Sequence, residues 1–360
     1  MLVHICCAVD SHYFLQKLQL EYPQEKLIGF FYDPNIHPYS EYQLRLLDVQ
    51  RSCKMLGIEL IEGEYDTLSW INAVRGLEKE PEKGARCAVC FDKRFEVSAQ
   101  KAKEIGEVTF TSTLLTSPKK SLHQLKKAGD LLAPQYGISF VAPDYRKASG
   151  TQEQNILAKK DALYRQNYCG CLYGLTMQRQ QQKQLADELM SPISAQIQPQ
   201  SIEYRLELYI QRAKYEEENT PYTIIKQRFL NWRLLMGFVR VKKEVIPAHF
   251  LPYSTLKGEY SRGKIEIQRD NISYMNRDEV RFITLEYYNQ LLQSNYKSLI
   301  DLIYNPPSFE REVTIRQRLE ALPYSLGVIV VVESIPTNKI EIVCQTESYE
   351  SMREILLKNE

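Results

Sequence analysis

The sequence predicts an α/β protein, a parallel sheet with helices on both faces, followed by a smaller α+β domain. Three observations carry this expectation. Apolar strand-like runs alternate with helical patterns through the first half, the composition breaks near residue 185, and the second half mixes helices and strands with no internal repeat. At 360 residues, with 44% hydrophobic and 25% charged residues, the chain is long enough for two domains. The boundaries are drawn at 1–184 for the first domain, 185–202 for a linker and 203–360 for a C-terminal extension.

The elements follow in order. LVHICC, KLIGFFYDPN, IELIEGEYD, EVTFTSTLLT and ISFVAPD read as strands, with helical patterns such as SEYQLRLLDVQRSCKML between them. In a parallel sheet of this kind ligands collect beyond the carboxyl ends of the strands. Cys6, Cys7 and Asp10 follow the first strand, Asp33 and Asn35 the second, Asp66 the third, Thr113 to Ser117 the fourth and Asp144 the fifth. Past YGL the chain becomes Gln-rich and runs into a Pro/Ser/Gln stretch, the expected linker. Beyond it TIIKQRFLNWRLLMGF reads as a helix packing Phe229, Trp232, Leu235 and Met236 inward. HFLPYS, KGEYSRGKIEIQRD, GVIVVVES and KIEIVCQ read as strands.

The chemistry lies in the cysteines. Of eight, at 6, 7, 53, 87, 90, 169, 171 and 344, six form pairs. Cys53, in a helical pattern, and Cys344, in an apolar strand, read as packing residues. Cys6 and Cys7 could also be core residues, since a buried cysteine is a small hydrophobe, but an acid three positions on suggests a metal. The opening MLVHICC has no charged leader region or cleavage site, and no segment approaches the roughly 18 apolar residues of a membrane span. A cytoplasmic, reducing location is expected, where paired cysteines bind metal or do redox work rather than form structural disulfides. Cys87 and Cys90 open an amphipathic helix, whose positive end favours thiolates. Cys169 and Cys171 flank a glycine, which lets the backbone bend so that both sulfurs face one point. The histidines supply no zinc-type pair, so zinc is the second choice and an iron–sulfur centre the first. Six cysteines exceed the ligands of one cluster; the surplus could hold a second metal or act as a redox-active dithiol.

HICC at the start, FFYDPNIHPYSEYQLR at 30–45, the run from Trp70 to Phe91 that includes GLEKEPEKGARCAVCF, FTSTLLTSPKK at 110–120 and LYRQNYCGC at 163–171 together resemble the cobalamin-independent epoxyqueuosine reductases, the QueH family. The resemblance covers about residues 1–178. It implies a Rossmann-like fold of the HUP type, a [4Fe-4S] cluster with further metal nearby, and two-electron removal of the epoxide oxygen of epoxyqueuosine at the wobble position of a tRNA, giving queuosine. Many members carry a third cysteine where this chain has Asp10, which is assigned the same ligand role. The expected ligands are Cys7, Cys87, Cys90 and Asp10 on the cluster. Cys6, Cys169 and Cys171 are expected on an additional mononuclear iron, or zinc in its place, or as a redox pair. A low-potential electron donor is expected as a partner.

Deoxygenating an epoxide needs electrons, a site that takes the oxygen, and a proton. Asp10, Asp33, His37, Tyr65, Asp66, Asp144 and Tyr164 are the candidate catalytic groups, each of the last six fitting a strand-end cap or turn former equally well. Glu78 and Glu80 read as solvated loop charges. With a net charge of +1, tRNA contacts must come from local patches. Arg86, Arg165, Lys119, Lys120, Lys126 and Lys127 are expected at phosphates. So are Arg240, Lys242 and Lys243, because Lys226 to Lys264 holds nine Lys/Arg against two Glu, interleaved with aromatics. Two other readings stay open. An ATP-dependent tRNA-thiolation enzyme would need a glycine-rich phosphate loop after the first strand, where this chain has CCAVDSH. A zinc-stabilised RNA-binding module would be colourless.

The cysteine reading predicts that serine at Cys87 or Cys90 strips iron from the anaerobically prepared protein, while serine at Cys53 or Cys344 leaves the iron content unchanged. Equal iron loss in all four variants would mean that unfolding, not ligation, is being measured.

Overall fold

The computed structural model describes residues 1–117, 120–147, 149–190, 195–320, 322 and 325–359. The chain divides into two compact units, Met1–Leu189 and Met190–Glu360. No described helix is long and apolar enough to cross a membrane.

The first unit runs β1 (Leu2–Ile5), α1 (Ala8–Glu21), β2 (Ile28–Phe31), α2 (Tyr39–Leu56), β3 (Glu59–Glu62), α3 (Thr67–Ala73), α4 (Ala85–Glu104), β4 (Thr109–Ser112), α5 (Leu122–Leu132), β5 (Ser139–Phe140), α6 (Gly150–Lys160) and α7 (Leu172–Gln182). The strands are parallel in the order β3-β2-β1-β4-β5. The order reverses at β1, which puts a crevice at the carboxyl ends of β1, β2 and β4. β1 and β2 are buried along their whole length, as the continuous apolar runs require for a sheet covered on both faces. His4, wholly buried, ties the three central strands together. Its Nε2 donates to the Tyr32 carbonyl at 3.2 Å, so Nδ1 accepts from the Ser112 hydroxyl at 2.8 Å. Burial holds its pKa well below the ordinary histidine value, which keeps the ring neutral.

The second unit contains α8 (Ile202–Glu217), β6 (Tyr222–Val241), β7 (Glu244–Ile246), β8 (His249–Phe250), β9 (Tyr260–Gly263), β10 (Ile265–Arg269), β11 (Ile272–Met275), β12 (Arg281–Thr284), α9 (Leu285–Leu292), α10 (Leu299–Tyr304), α11 (Phe309–Glu320), β13 (Ile329–Val332) and β14 (Ile340–Lys358). It has a four-stranded antiparallel sheet, β7-β6-β14-β9, and a five-stranded mixed sheet, β10-β11-β12-β13-β8. One core lies between the sheets, joining Val239, Ile340, Ile342 and Cys344 to Phe250, Phe282, Val330 and Val332. Alternate residues of the five-stranded sheet, Ile283, Ile329 and Val331, pack on α9, α10 and α11. The period of two along β12 and β13 is therefore what separates the two cores.

The expected helix at 223–238 is instead the first part of β6, a 20-residue strand paired along its length with β14, with one register shift at Leu235. The three- and four-residue spacing of Phe229, Trp232, Leu235 and Met236 mimics a helix. The run is nonetheless rich in β-branched and aromatic residues, and β14, more than a hundred positions away, supplies the backbone partners that decide the matter.

One buried polar group anchors this unit. Glu312 on α11 accepts from His249 Nε2 at 2.6 Å, from the Tyr288 hydroxyl at 2.6 Å and from Gln196 Nε2 at 2.9 Å. Burial acts to raise its pKa, but His249 and these hydrogen bonds leave it below the ordinary carboxylate value. A depressed folded-state pKa contributes stability that is present above the ordinary carboxylate range and is lost as pH falls through the depressed value. Glu312→Gln is expected to cost about 3 kcal/mol at neutral pH and to flatten the acid-side fall of the melting temperature. A variant whose melting temperature tracks the unaltered protein at every pH would contradict this.

Candidate metal centre

Three short segments carry the thiol pairs, and each leads into a helix. Cys6 follows β1, and Cys7 caps α1 in extended conformation with Asp10 in the first turn. Cys87 and Cys90 lie in the first two turns of α4. Cys171 caps α7, two residues after Cys169. The uncompensated N–H groups of a helix start favour negative charge, so this placement suits thiolates.

Cys6, Cys7 and Asp10 form one group, with their ligand atoms within 4.8 Å of one another. Cys6 Sγ is 3.9 Å from Cys7 Sγ and 4.0 Å from Asp10 Oδ2. Gln154 on α6 donates to Asp10 Oδ1 at 2.7 Å, which leaves Oδ2 facing the thiol. Arg94 on α4 links this group to the others. Its guanidinium is buried and paired with Asp33 beyond the end of β2. Burial acts to lower its pKa, but Asp33 and then Cys90, Cys6 and Cys169 raise it. The guanidinium thus carries its charge toward one thiol from each pair, while among the described residues the group of three or more ligand atoms within 4.8 Å of one another is Cys6, Cys7 and Asp10.

Two further buried cations fix the third pair. Lys120 Nζ donates to Cys169 Sγ at 3.0 Å and lies 3.6 Å from Glu82. Arg45 on α2 donates to the Tyr168 and Cys169 carbonyls, both at 3.1 Å, and to Glu41 at 2.7 Å. Glu41 also accepts from the Tyr164 hydroxyl at 2.9 Å. Between the two cysteines Gly170 has φ +107, and a Cβ there would lie 2.9 Å from Ile36 and 3.2 Å from Arg45. Only glycine lets this loop close on the end of β2.

The thiols respond differently to this setting. Cys7 is held well above its ordinary pKa by its contact with Cys6 and by burial. Burial pushes up Cys87 and Cys90, and pushes Cys171 to about 12. Burial also acts to raise Cys169, but the Lys120 ammonium beside it brings it below the ordinary value. Without a charge-balancing group most of these thiols are protonated.

The expected catalytic groups are spread unevenly around this centre. Asp33 is committed to Arg94, and burial raises its carboxyl to about 6. The Tyr65 hydroxyl donates to the Ile36 carbonyl at 2.5 Å, and Asp66 caps α3 through Ser69 N–H at 3.2 Å. Tyr164 is committed to Glu41, and Asp144 accepts from Arg146 N–H at 3.2 Å. His37 keeps Nδ1 on the Asn35 carbonyl at 3.0 Å, and burial lowers its pKa. Glu78 closes the turn at Gly76 and Glu80 accepts from Ala85 N–H at 3.2 Å, so these acids shape the approach to α4 rather than only meeting solvent.

Two expected phosphate contacts are corrected. Arg86 is 2% exposed and donates to the carbonyls of Leu77, Glu78 and Glu80, so it holds the loop before α4. Lys120 is buried at Cys169, not presented to solvent. Lys126 and Lys127 are exposed, Lys126 beside Asp130, and Arg165 is exposed and donates to Asn155. Lys119 lies outside the described residues. Residues that reading the sequence missed are Glu41, Arg45 and Arg94. A signal for the first two existed: Glu41, Arg45, Asp48 and Ser52 recur at helical spacing, and all four are buried. A polar stripe of that kind on a buried helix marks an internal network.

The family model described as Epoxyqueuosine reductase QueH matches residues 1–177. A Helicobacter pylori (strain ATCC 700392 / 26695) protein of that name is 41% identical over 92% of this chain and 94% of its own length. The chain belongs to this family. Another QueH protein, from Haemophilus influenzae, is 36% identical over 49% of this chain and 71% of that one. One from Thermotoga maritima is 33% identical over 52% of this chain and 95% of that one. Among solved structures, the U34-tRNA thiolase NcsA from Methanococcus maripaludis with its [4Fe-4S] cluster superposes with a TM-score of 0.33 and 13% identity, over 60% of this chain and 73% of that one, too loosely to bear on function.

Arg45→Met is expected to lower stability by about 3–5 kcal/mol, because it leaves Glu41 buried without its cation and frees the Cys169 loop. Arg45→Lys should recover only part of that loss, since an ammonium cannot span Glu41 and two carbonyls as the planar fork does. Equal unfolding midpoints for Arg45→Met and the unaltered protein would show that the clamp does not hold the loop.

Proposed function

We propose that this QueH-family chain is an epoxyqueuosine reductase, which removes the epoxide oxygen from epoxyqueuosine at the wobble position of tRNA with an iron–sulfur cluster. The observation that carries this reading is the group of Cys6, Cys7 and Asp10 at the start of α1, whose ligand atoms lie within 4.8 Å of one another. The donor set fits such a group. Several buried thiols with raised pKa values stand beside three buried cations and three helix starts, an arrangement that makes electrostatic sense when the sulfurs are thiolates on a metal. Asp33 Oδ2, Asn35 Oδ1 and Arg94 Nε are buried with no hydrogen-bond partner among the described residues, which leaves polar atoms for a bound group to satisfy.

Cys7, Cys87, Cys90 and Asp10 would hold a [4Fe-4S] cluster, while Cys6, Cys169 and Cys171 hold a second iron, or zinc in its place, or serve as a redox pair. The cluster supplies electrons, received from a low-potential donor, and an oxygen-seeking iron position. The reaction takes two electrons and two protons and releases the epoxide oxygen as water, leaving the alkene. Carboxylate at Asp10, a harder ligand than thiolate, would leave the position it held on a metal easier to open. Gln154 fixes that carboxylate. The Lys120 ammonium, already turned toward Cys169, offers positive charge where an oxide would develop, and it needs no reorganisation to do so. His37, neutral and with Nε2 still able to accept, is placed to orient a ribose or cyclopentene hydroxyl.

Anaerobically reconstituted protein with a low-potential reductant is expected to convert epoxyqueuosine in tRNA to queuosine without cobalamin, followed by mass spectrometry of the released nucleosides. Lys120→Met should lower kcat by roughly a hundredfold while keeping most of the iron. Unchanged epoxide in the presence of a full cluster would sink the reading.

A further inference from the structure

Near the β6–β7 hairpin the four-stranded sheet of the second unit has one face in the core and exposed side chains on the other, whereas farther along its length α8 packs against β14 and Arg233 reaches the Pro199 carbonyl. Its core face carries Val239, Val241, Ile246, Ile340, Ile342 and Cys344. The opposite face follows from the pairing. One row across the strands reads Val245, Arg240, Glu341, Arg262, and the next reads Phe238, Val343, Tyr260. Directly paired residues share a face, so the two aromatic rings flank Val343 roughly 10 Å apart, two strand spacings. Tyr260 is 51% exposed and Val245 60%, although the first is aromatic and the second apolar.

Charge surrounds these rings. Glu341 accepts from Arg240 at 3.4 Å and pairs with Arg262 at 3.3 Å, so one carboxylate orients two guanidiniums and leaves the row cationic. The Arg240 guanidinium also lies over the Phe238 ring at 5.1 Å. Lys264 extends β9 on the exposed side, and Lys242 and Lys243 form the β6–β7 hairpin tip. Both tip lysines are left-handed, with φ 50 and 72, where a tight hairpin usually places Asn or Gly. Two lysines kept at that backbone cost point to use of their charge.

From this juxtaposition we propose that the open face of the β7-β6-β14-β9 sheet is a binding platform for unpaired RNA. Phe238 and Tyr260 stack bases, while Arg240, Arg262, Lys264, Lys242 and Lys243 track the phosphates. The proposal deepens the reading that the chain acts on tRNA, for which it names a second contact surface. It replaces the helix expected over 223–238 with a sheet face, and it adds Phe238, Tyr260 and Arg262 to the expected lysines. An exposed tyrosine with a half-buried phenylalanine two strands away and cations at the rim suits single-stranded nucleic acid recognition, because every base has a face to stack and every linkage a charge. A second copy of the chain would meet like charge, so self-association is disfavoured.

Fluorescence anisotropy of the full chain with a labelled single-stranded decaribonucleotide tests the platform. Tyr260→Ala and the Phe238→Ala, Tyr260→Ala pair should each weaken binding, the pair by roughly tenfold or more, while Tyr260→Phe retains it. Arg240→Gln with Arg262→Gln should flatten the salt dependence of log affinity by somewhat over one unit. Loss of binding in Tyr260→Ala and its retention in Tyr260→Phe, with melting temperatures unchanged, supports stacking. Affinity unchanged by the aromatic variants, or no binding by the unaltered protein, overturns the platform. So does sedimentation showing dimers that Tyr260→Ala dissociates, which would make the face a protein contact. Conversion of epoxyqueuosine is measured separately on the same preparations. A preparation that binds RNA through the rings but converts nothing refutes the enzymatic reading alone, and one that converts without ring-dependent binding refutes the platform alone.

Discussion

The ion pair between Asp33 and Arg94 is the constraint on which the first unit's chemistry rests. It ties the carboxyl end of β2 to α4, and so fixes where Cys87 and Cys90 stand relative to Cys6, Cys7 and the Cys169 loop. A buried pair is costly: desolvation leaves the Asp33 carboxyl raised to about 6 even with a guanidinium beside it. Apolar residues of equal volume would commonly stabilise such a site at least as well. The pair is therefore explained by what its charge faces. Arg94 brings a permanent positive charge toward buried thiols, and Lys120 and Arg45 add two more from other elements.

That arrangement links fold to function in a specific way. The parallel sheet reverses its order at β1, and the resulting crevice receives the starts of α1, α4 and α7. Each start contributes thiols and partial positive charge. The three cations come from α2, α4 and the segment just before α5, so no single element builds the centre. Packing alone would give a sheet with covered faces. Internal charge adds a preference for the arrangement in which Cys6, Cys7 and Asp10 meet and Cys169 stands beside Lys120.

Much of the first unit was legible because its signals are local. Continuous apolar runs such as LIGFF require burial on both faces, and Gly57, in left-handed conformation, ends α2 where the sequence places the stop. The Cys6–Cys7 pair was legible for the same reason, since adjacent positions place the two sulfurs 3.9 Å apart. Arg86 and Lys120 were misread because their charge suggested solvent. Nothing near them in sequence reveals that the Leu77, Glu78 and Glu80 carbonyls, or Cys169, are waiting as partners. The second unit was less legible. β6 and β14 pair across more than a hundred residues, and a run such as FLNWRLLM satisfies helical spacing by itself. The Phe238–Val343–Tyr260 row exists only once the register is known.

The most direct test of the central claim is iron-edge anomalous diffraction from crystals of the anaerobically reconstituted protein. The account predicts an iron peak bounded by the sulfurs of Cys7, Cys87 and Cys90 and by the Asp10 carboxylate, with the Arg94 guanidinium beside it and still paired to Asp33. Iron bound by one thiol pair alone, or an Arg94 turned away from the metal, would contradict it.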